Sequence, residues 1–201
     1  MKATTIAKVI KAKIAEWIAT IEDRPLAMEV QSSVVVTGGC IVSMYLQERV
    51  NDYDVYIQDP LVLERLVKYY MSKFQVSEGS SDGKVVYNQN FTGLRPDDWG
   101  QNRKDRIGIL VRSSGFLKET KKPLPTDKKT AYRPIFISEN AITLSNDIQI
   151  VMRFWGAPSD VHESFDYEHA KGYWTLQDGL VSTARQLQLI IAKELEYTGS
   201  E

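Results

Sequence analysis

The chain has 201 residues, 43% hydrophobic and 25% charged, with a formal net charge of −1. That length and composition suit one domain with an appendage and a sizeable core, and the near-neutral charge supplies no global attraction to nucleic acid. The single cysteine, Cys40, excludes an internal disulfide and suits a reducing compartment, so the cytoplasm is the expected location. No apolar run reaches the roughly 18 residues of a membrane span, and Met1-Lys2-Ala3 leads straight into a lysine-bearing amphipathic pattern, unlike a secretory signal.

Ile6, Val9, Ile10, Ile14, Trp17, Ile18 and Ile21 recur at three- and four-residue spacing, with Lys8, Lys11 and Glu16 on the other side. This predicts an amphipathic helix covering one face of the core. Asp23-Arg24-Pro25 reads as a stop and a restart, Asp23 capping a second, short helix with proline in its first turn. The β-branched run Val34-Val35-Val36 ends in Thr37-Gly38-Gly39; a helix is expected from about Cys40 to Arg49 and a strand from Tyr53. After Pro60 a further helix carries Leu63, Leu66, Val67, Tyr70, Met71 and Phe74 on its inner stripe. Ser77 to Gly83 is turn material, Lys84 to Tyr87 a short strand, Arg95 to Gly100 irregular, and Arg106 to Arg112 a strand.

Residues Arg112 to Arg133 hold seven Lys/Arg against Glu119 and Asp127, with Pro123 and Pro125 between them. This basic insertion suits either contact with a nucleic-acid backbone or a solvated loop. From Pro134 the pattern is β again, with Ser145-Asn146-Asp147 as the turn between two strands, PIFISENAITLSN and IQIVMRF. Pro158-Ser159-Asp160 opens a short helix through Phe165, DYEHAKGYWT reads as a strand, Gly179 marks a turn, and Leu187, Ile190, Ile191 and Leu195 define a final helix. There is no internal repeat, and Tyr197 to Glu201 stops without a polar tail.

The chemistry concentrates between Val34 and Ile57. In a strand alternate side chains share a face, so Asp52, Asp54 and Tyr56 point one way and Tyr53, Val55 and Ile57 the other. Two carboxylates close together on one face repel each other, and the usual compensation is a divalent cation; oxygen-only ligation with sites left for water and phosphate suits Mg²⁺ or Mn²⁺. Paired glycines at a helix start let backbone N–H groups approach an anion closely. A phosphate cradle beside a two-carboxylate metal site is what phosphoryl transfer requires. His162 and His169 are the only histidines, too few for a His-based zinc site.

The order strand, Gly38-Gly39, helix, Asp52-x-Asp54, strand resembles the signature of the DNA polymerase β-like nucleotidyltransferase superfamily, and residues from Ile135 onward look like uncharacterised members encoded by large bacteriophages. The superfamily includes tRNA nucleotidyltransferases, poly(A) polymerases, antibiotic nucleotidyltransferases and toxin-neutralising members. The resemblance implies an α/β nucleotidyltransferase fold, a mixed twisted sheet with helices mainly on one side, as one domain over 1–201. It further implies transfer of a nucleoside monophosphate from an NTP to a hydroxyl, with an RNA 3′ end, such as that of tRNA, as the acceptor class. Asp52 and Asp54 would bind the metal, and Gly38, Gly39 and the Cys40 amide the triphosphate. A phage origin would make the location the host cytoplasm, and the phage proteins run on past Glu201, so the chain is read as truncated.

Two positions depart from the family pattern. Cys40 stands where a serine usually binds triphosphate, and a thiol is the poorer hydrogen-bonding group. The third acid, the general base of the family, falls at Gln149, which cannot accept a proton. Either Asp147, placed two residues back on the same strand face, or Asp166, at the start of the next strand, could supply it. Arg153, on the face of Asp147 and Gln149, could meet phosphate, and His169 with Lys171 could line a substrate cleft. The rival expectation is a binding or regulatory protein on a catalytically inactive nucleotidyltransferase scaffold.

Overall fold

A computed structural model describes residues 1–72, 132–138 and 140–199, together with the backbone of 94–95 and 106–107. The first helix, α1 (Ala3–Ile18), buries Ile6, Ile10, Ile14, Trp17 and Ile18 of its predicted stripe and leaves Val9 exposed. α2 (Arg24–Ser33) starts where Asp23 accepts the Leu26 amide at 3.0 Å, with proline in the first turn. Then come β1 (Val34–Thr37), α3 (Gly39–Leu46), β2 (Tyr53–Ile57) and α4 (Pro60–Ser72). β3 (Leu94–Arg95) and β4 (Arg106–Ile107) pair with each other. β5 (Pro134–Ile137), β6 (Ala141–Leu144), β7 (Ile148–Val151), α5 (Pro158–His162), a 3₁₀ turn (Glu168–Ala170), β8 (Tyr173–Thr175), β9 (Gly179–Val181) and α6 (Ala184–Ala192) complete the described chain.

The main sheet has seven strands in the order β5-β6-β7-β2-β1-β8-β9. β2 and β7 run parallel, and the other neighbours are antiparallel. The expected architecture, a mixed sheet with helices packed mainly on one side, is therefore present. Period-two alternation assigns the faces. Val34, Val36, Val55, Ile57, Ile142, Ile148, Ile150 and Trp174 lie under α1, α2 and α4 in one continuous core. The opposite face carries a smaller cluster, Val35, Tyr56 and Val161, flanked by Val151, Phe154, Phe165 and Tyr173. α5 contributes Val161, so this short helix covers the second face near its centre.

Four expectations need correction. PIFISENAITLSN is two strands rather than one, because Ser138 Oγ accepts the Asn140 and Ala141 amides and folds the chain back. DYEHAKGYWT is a 3₁₀ turn followed by a three-residue strand, so His169 and Lys171 do not share a strand face. α6 turns Gln186, Leu189 and Ile190 inward and leaves Ile191 exposed, and Leu195 lies beyond it. The first helix after the glycines closes early, at Leu46, with Gln47 in the left-handed region. The expected strand at 84–87, the contact of Phe74, and the basic insertion up to residue 131 lie outside the described residues.

One hydrogen bond joins α1 to α4 inside the core: the Trp17 indole N–H donates to the Tyr70 hydroxyl at 2.8 Å, and both residues are buried. Tyr70→Phe leaves that N–H without its acceptor, so unfolding in urea should show a loss of roughly 1–3 kcal/mol with an unchanged slope. An unchanged midpoint would mean that the two helices do not depend on this bond.

Candidate functional site

β1 and β2 are antiparallel neighbours whose register pairs Val36 with Val55. Carried one residue further, it sets Thr37 and the glycines after it beside Asp54. Gly38 is buried, with φ of +90°, a conformation L side chains rarely adopt, and α3 begins at the next residue. A Cβ at Gly38 would sit 3.7 Å from Asp54 Oδ2, whereas one at Gly39 would meet nothing within 4 Å. The second glycine thus leaves open space over the first turn of α3, where the Ile41 amide bonds back to the Gly38 carbonyl at 3.2 Å and those of Gly39 and Cys40 precede the helical hydrogen-bond ladder. Backbone N–H groups and a carboxylate share one mouth.

The polar side chains around that mouth form a row across the sheet. On the parallel neighbour, Gln149 is in register with Asp54, and Thr143 is in register with Gln149. Gln149 Nε2 donates to Asp54 Oδ1 at 3.2 Å, and the Thr143 hydroxyl donates to Gln149 Oε1 at 3.4 Å. The second bond fixes the sense of the amide, so its NH₂ faces the carboxylate. Gln149 therefore presents a hydrogen-bond donor to Asp54.

Burial pushes the Asp54 carboxyl up to about 6, the negative charge of Asp52 adds to the rise, and the bond from Gln149 opposes it. Asp52 itself lies just before β2 and is exposed. The structure thus brings Asp52 and Asp54 together. The uncompensated negative charge there suits a divalent cation, and oxygen donors with room for water and phosphate suit Mg²⁺ or Mn²⁺. Among the described residues no group of three or more His, Cys, Asp or Glu is placed to hold a metal ion.

The other expected site residues are placed elsewhere. Asp147 sits in a turn where it and Asn146 both have φ near +60°, which breaks the strand alternation. Asp147 is exposed there, and its charge acts on Tyr53 and Tyr132. Asp166 is exposed; its carbonyl accepts the Thr198 amide at 2.7 Å, and its carboxylate lies against Gly199. Arg153 lies beyond the end of β7, exposed, with its guanidinium carbon 5.2 Å from the centre of the Phe154 ring. Lys171 donates to the Thr198 hydroxyl at 2.6 Å and pairs with Glu168 at 3.6 Å. Cys40 is 3% exposed, and burial beside Asp54 pushes its thiol up to about 12, so the side chain is a small core residue. Only its amide can serve a ligand.

Sequence reasoning missed Thr37 and His162. Thr37 is fully buried and sits immediately before the glycines. His162, at the end of α5, places Nε2 2.9 Å from the Thr37 hydroxyl. Burial, with a contribution from Lys171, pushes the imidazole down to about 4. A buried hydroxyl at a strand end was the available signal, but its partner is 125 residues away.

The raised Asp54 carboxyl makes two pH predictions. The native state holds the Asp54 proton more tightly than the unfolded chain, whose value is near 3.8, so its charge costs stability as pH rises through about 6. Asp54→Asn should therefore stabilise the metal-free protein at pH 7 by on the order of 2 kcal/mol, with the gain vanishing below pH 4. Wild-type Mn²⁺ affinity should fall about fivefold between pH 6 and pH 5, as protons compete for the carboxylate. Thermal melts and titration calorimetry check the two; a destabilised Asp54→Asn would contradict the assignment.

Two solved structures are similar in outline. The CCA-adding enzyme of Bacillus stearothermophilus in complex with CTP superposes with a TM-score of 0.43 at 8% identity, over 92% of this chain and 33% of that one. The CCA-adding enzyme of Thermotoga maritima complexed with tRNA gives 0.41 at 10% identity, over 92% and 35%. The chain thus spans about a third of the length of each enzyme. No curated protein sequence matches it. The model of the Gabija anti-defense 2 family matches residues 8–190, which is most of the chain, and the chain belongs to that family.

Proposed function

We propose that the chain is a metal-dependent nucleotidyltransferase that transfers a nucleoside monophosphate from an NTP to a hydroxyl acceptor, with RNA 3′ ends, tRNA included, as the acceptor class. The observation that carries this reading is the meeting of Asp54 Oδ2 with the Gly38-Gly39 helix start, beside Asp52. In it, the Gly39 and Cys40 amides bind the triphosphate, and the open space at Gly39 admits it. Asp52 and Asp54 would hold the cation, which when bound would neutralise phosphate charge and orient the leaving pyrophosphate. Catalysis then rests on positioning and charge, with attacking and leaving oxygens in line. The family name fits an anti-defense role; in this reading the protein acts in the host cytoplasm, with the nucleotide site as its working part. No helix among the described residues is long and apolar enough to cross a membrane.

Gln149 favours a second reading. Its amide donates to Asp54 from the position of the third acid, and a scaffold that binds NTP without turning it over would have this geometry. Transfer also needs a proton acceptor for the attacking hydroxyl, and the exposed Asp147 and Asp166 are the residues proposed for it. Pyrophosphate release from an NTP panel, with and without RNA, separates the readings. For an enzyme, Asp54→Asn should lower turnover at least about 10³-fold, and either Asp147→Asn or Asp166→Asn should be inert while still binding NTP. Wild-type NTP binding without pyrophosphate release, with turnover appearing in Gln149→Asp, would establish the scaffold instead.

A further inference from the structure

Thr37 is the last residue of β1, so its position sets where the chain enters the glycine turn. Its hydroxyl donates to the Gly172 carbonyl at 2.7 Å, and the Ala170 carbonyl lies at 3.5 Å. A threonine hydroxyl has one hydrogen. With that hydrogen directed at a carbonyl, the contact with His162 at 2.9 Å requires the imidazole to donate from Nε2 to an oxygen lone pair. This fixes the tautomer as Nε2–H, and the lowered affinity of the ring for a second proton agrees with a neutral imidazole.

The His162 ring is itself held in place. Phe165 meets it edge-on with centroids 5.2 Å apart, and Tyr173 lies at 6.0 Å. The far edge of Phe165 reaches the glycine turn, 3.8 Å from where a Gly38 Cβ would be. The end of α5, the end of β1 and the segment leading into β8 therefore converge on one buried hydroxyl. Among the described residues these groups bond to one another and to backbone carbonyls rather than to the two aspartates, so the network acts on the turn.

We propose that His162 is a positioning residue for phosphate binding: by donating to Thr37 it holds the Gly38-Gly39 turn in the conformation that aims the Gly39 and Cys40 amides into the mouth. This rests on the nucleotide-site reading, and it assigns to α5 a role that the signature residues do not contain. The donor has a definite chemical requirement, an N–H at the reach of imidazole Nε2, which a glutamine side-chain amide also satisfies and a phenyl ring does not.

The test uses His162→Phe, which keeps an aromatic ring against Phe165 and Tyr173, and His162→Gln, which restores the donor. Amide hydrogen exchange over residues 37–41 of the free protein is measured beside titration with a non-hydrolysable NTP analogue and with Mn²⁺ alone. Removing one buried hydrogen bond should raise exchange over 37–41 about tenfold and weaken analogue binding about tenfold in His162→Phe. Mn²⁺ affinity should stay within about twofold, because the carboxylates are not displaced. His162→Gln should recover both lost quantities. Unchanged exchange over 37–41 in His162→Phe, or a His162→Gln variant no better than His162→Phe, would overturn the positioning role. An analogue that fails to bind wild type would remove the nucleotide-site reading and the phosphate role together, while the exchange measurement would still decide whether His162 holds the turn.

Discussion

The site is governed by the cost of keeping a carboxylate charged on a sheet face that is partly closed to water. Asp54 lies between β1 and β7, with the glycine turn above it and an amide beside it. A lone ionised group there is disfavoured, and the neighbouring Asp52 makes it more so. Gln149 contributes one hydrogen bond and no positive charge, so it moderates the cost without removing it. The remaining imbalance is the physical reason to expect a cation, and the amides of α3 are the reason to expect that the cation arrives with phosphate. Much of the local design follows from leaving this charge incompletely satisfied.

The sheet makes such a site possible by having two unlike faces. The helix-covered face is a continuous apolar layer that anchors β1 and β2 through Val34, Val36, Val55 and Ile57. The other face needs little hydrophobic cover, and α5 supplies a patch of it with Val161. Because the first layer fixes the strands, the second can hold Thr143, Gln149, Asp54 and Thr37 in one row without these polar groups having to stabilise the fold. This division of labour is common where rigid elements carry a reactive row.

The parts of the molecule readable from sequence are those set by short periodicities. The stripe Ile6-Ile10-Ile14-Trp17, the Asp23 cap and the alternation of Val34 to Ile57 each encode their structure within a few residues. Reading failed where long-range contacts override local pattern. Asp147 is two residues from Gln149 and reads as sharing its face, but the left-handed backbone at Asn146-Asp147 breaks the strand alternation there. The segment around His169 has strand-like composition, yet Glu168 is held by Gln186 of α6 at 3.0 Å, and the backbone coils into a turn there. Gln149 reads as lying on a strand, and it does, because the run around it is short, apolar and cleanly alternating. What the pattern could not show is that its amide points at Asp54.

The strand order has a consequence for synthesis on the ribosome. β1 and β2, which carry the glycines and Asp54, lie in the middle of the sheet, yet both of their outer neighbours, β7 and β8, come from beyond residue 147. A nascent chain therefore leaves the β2 edge unpaired until β7 has emerged, and the β1 edge unpaired until β8 has. Such edges are templates for pairing with other chains, and the long wait favours off-pathway association over folding. The residues of the mouth are among the first to be made, and their surroundings are among the last to arrive.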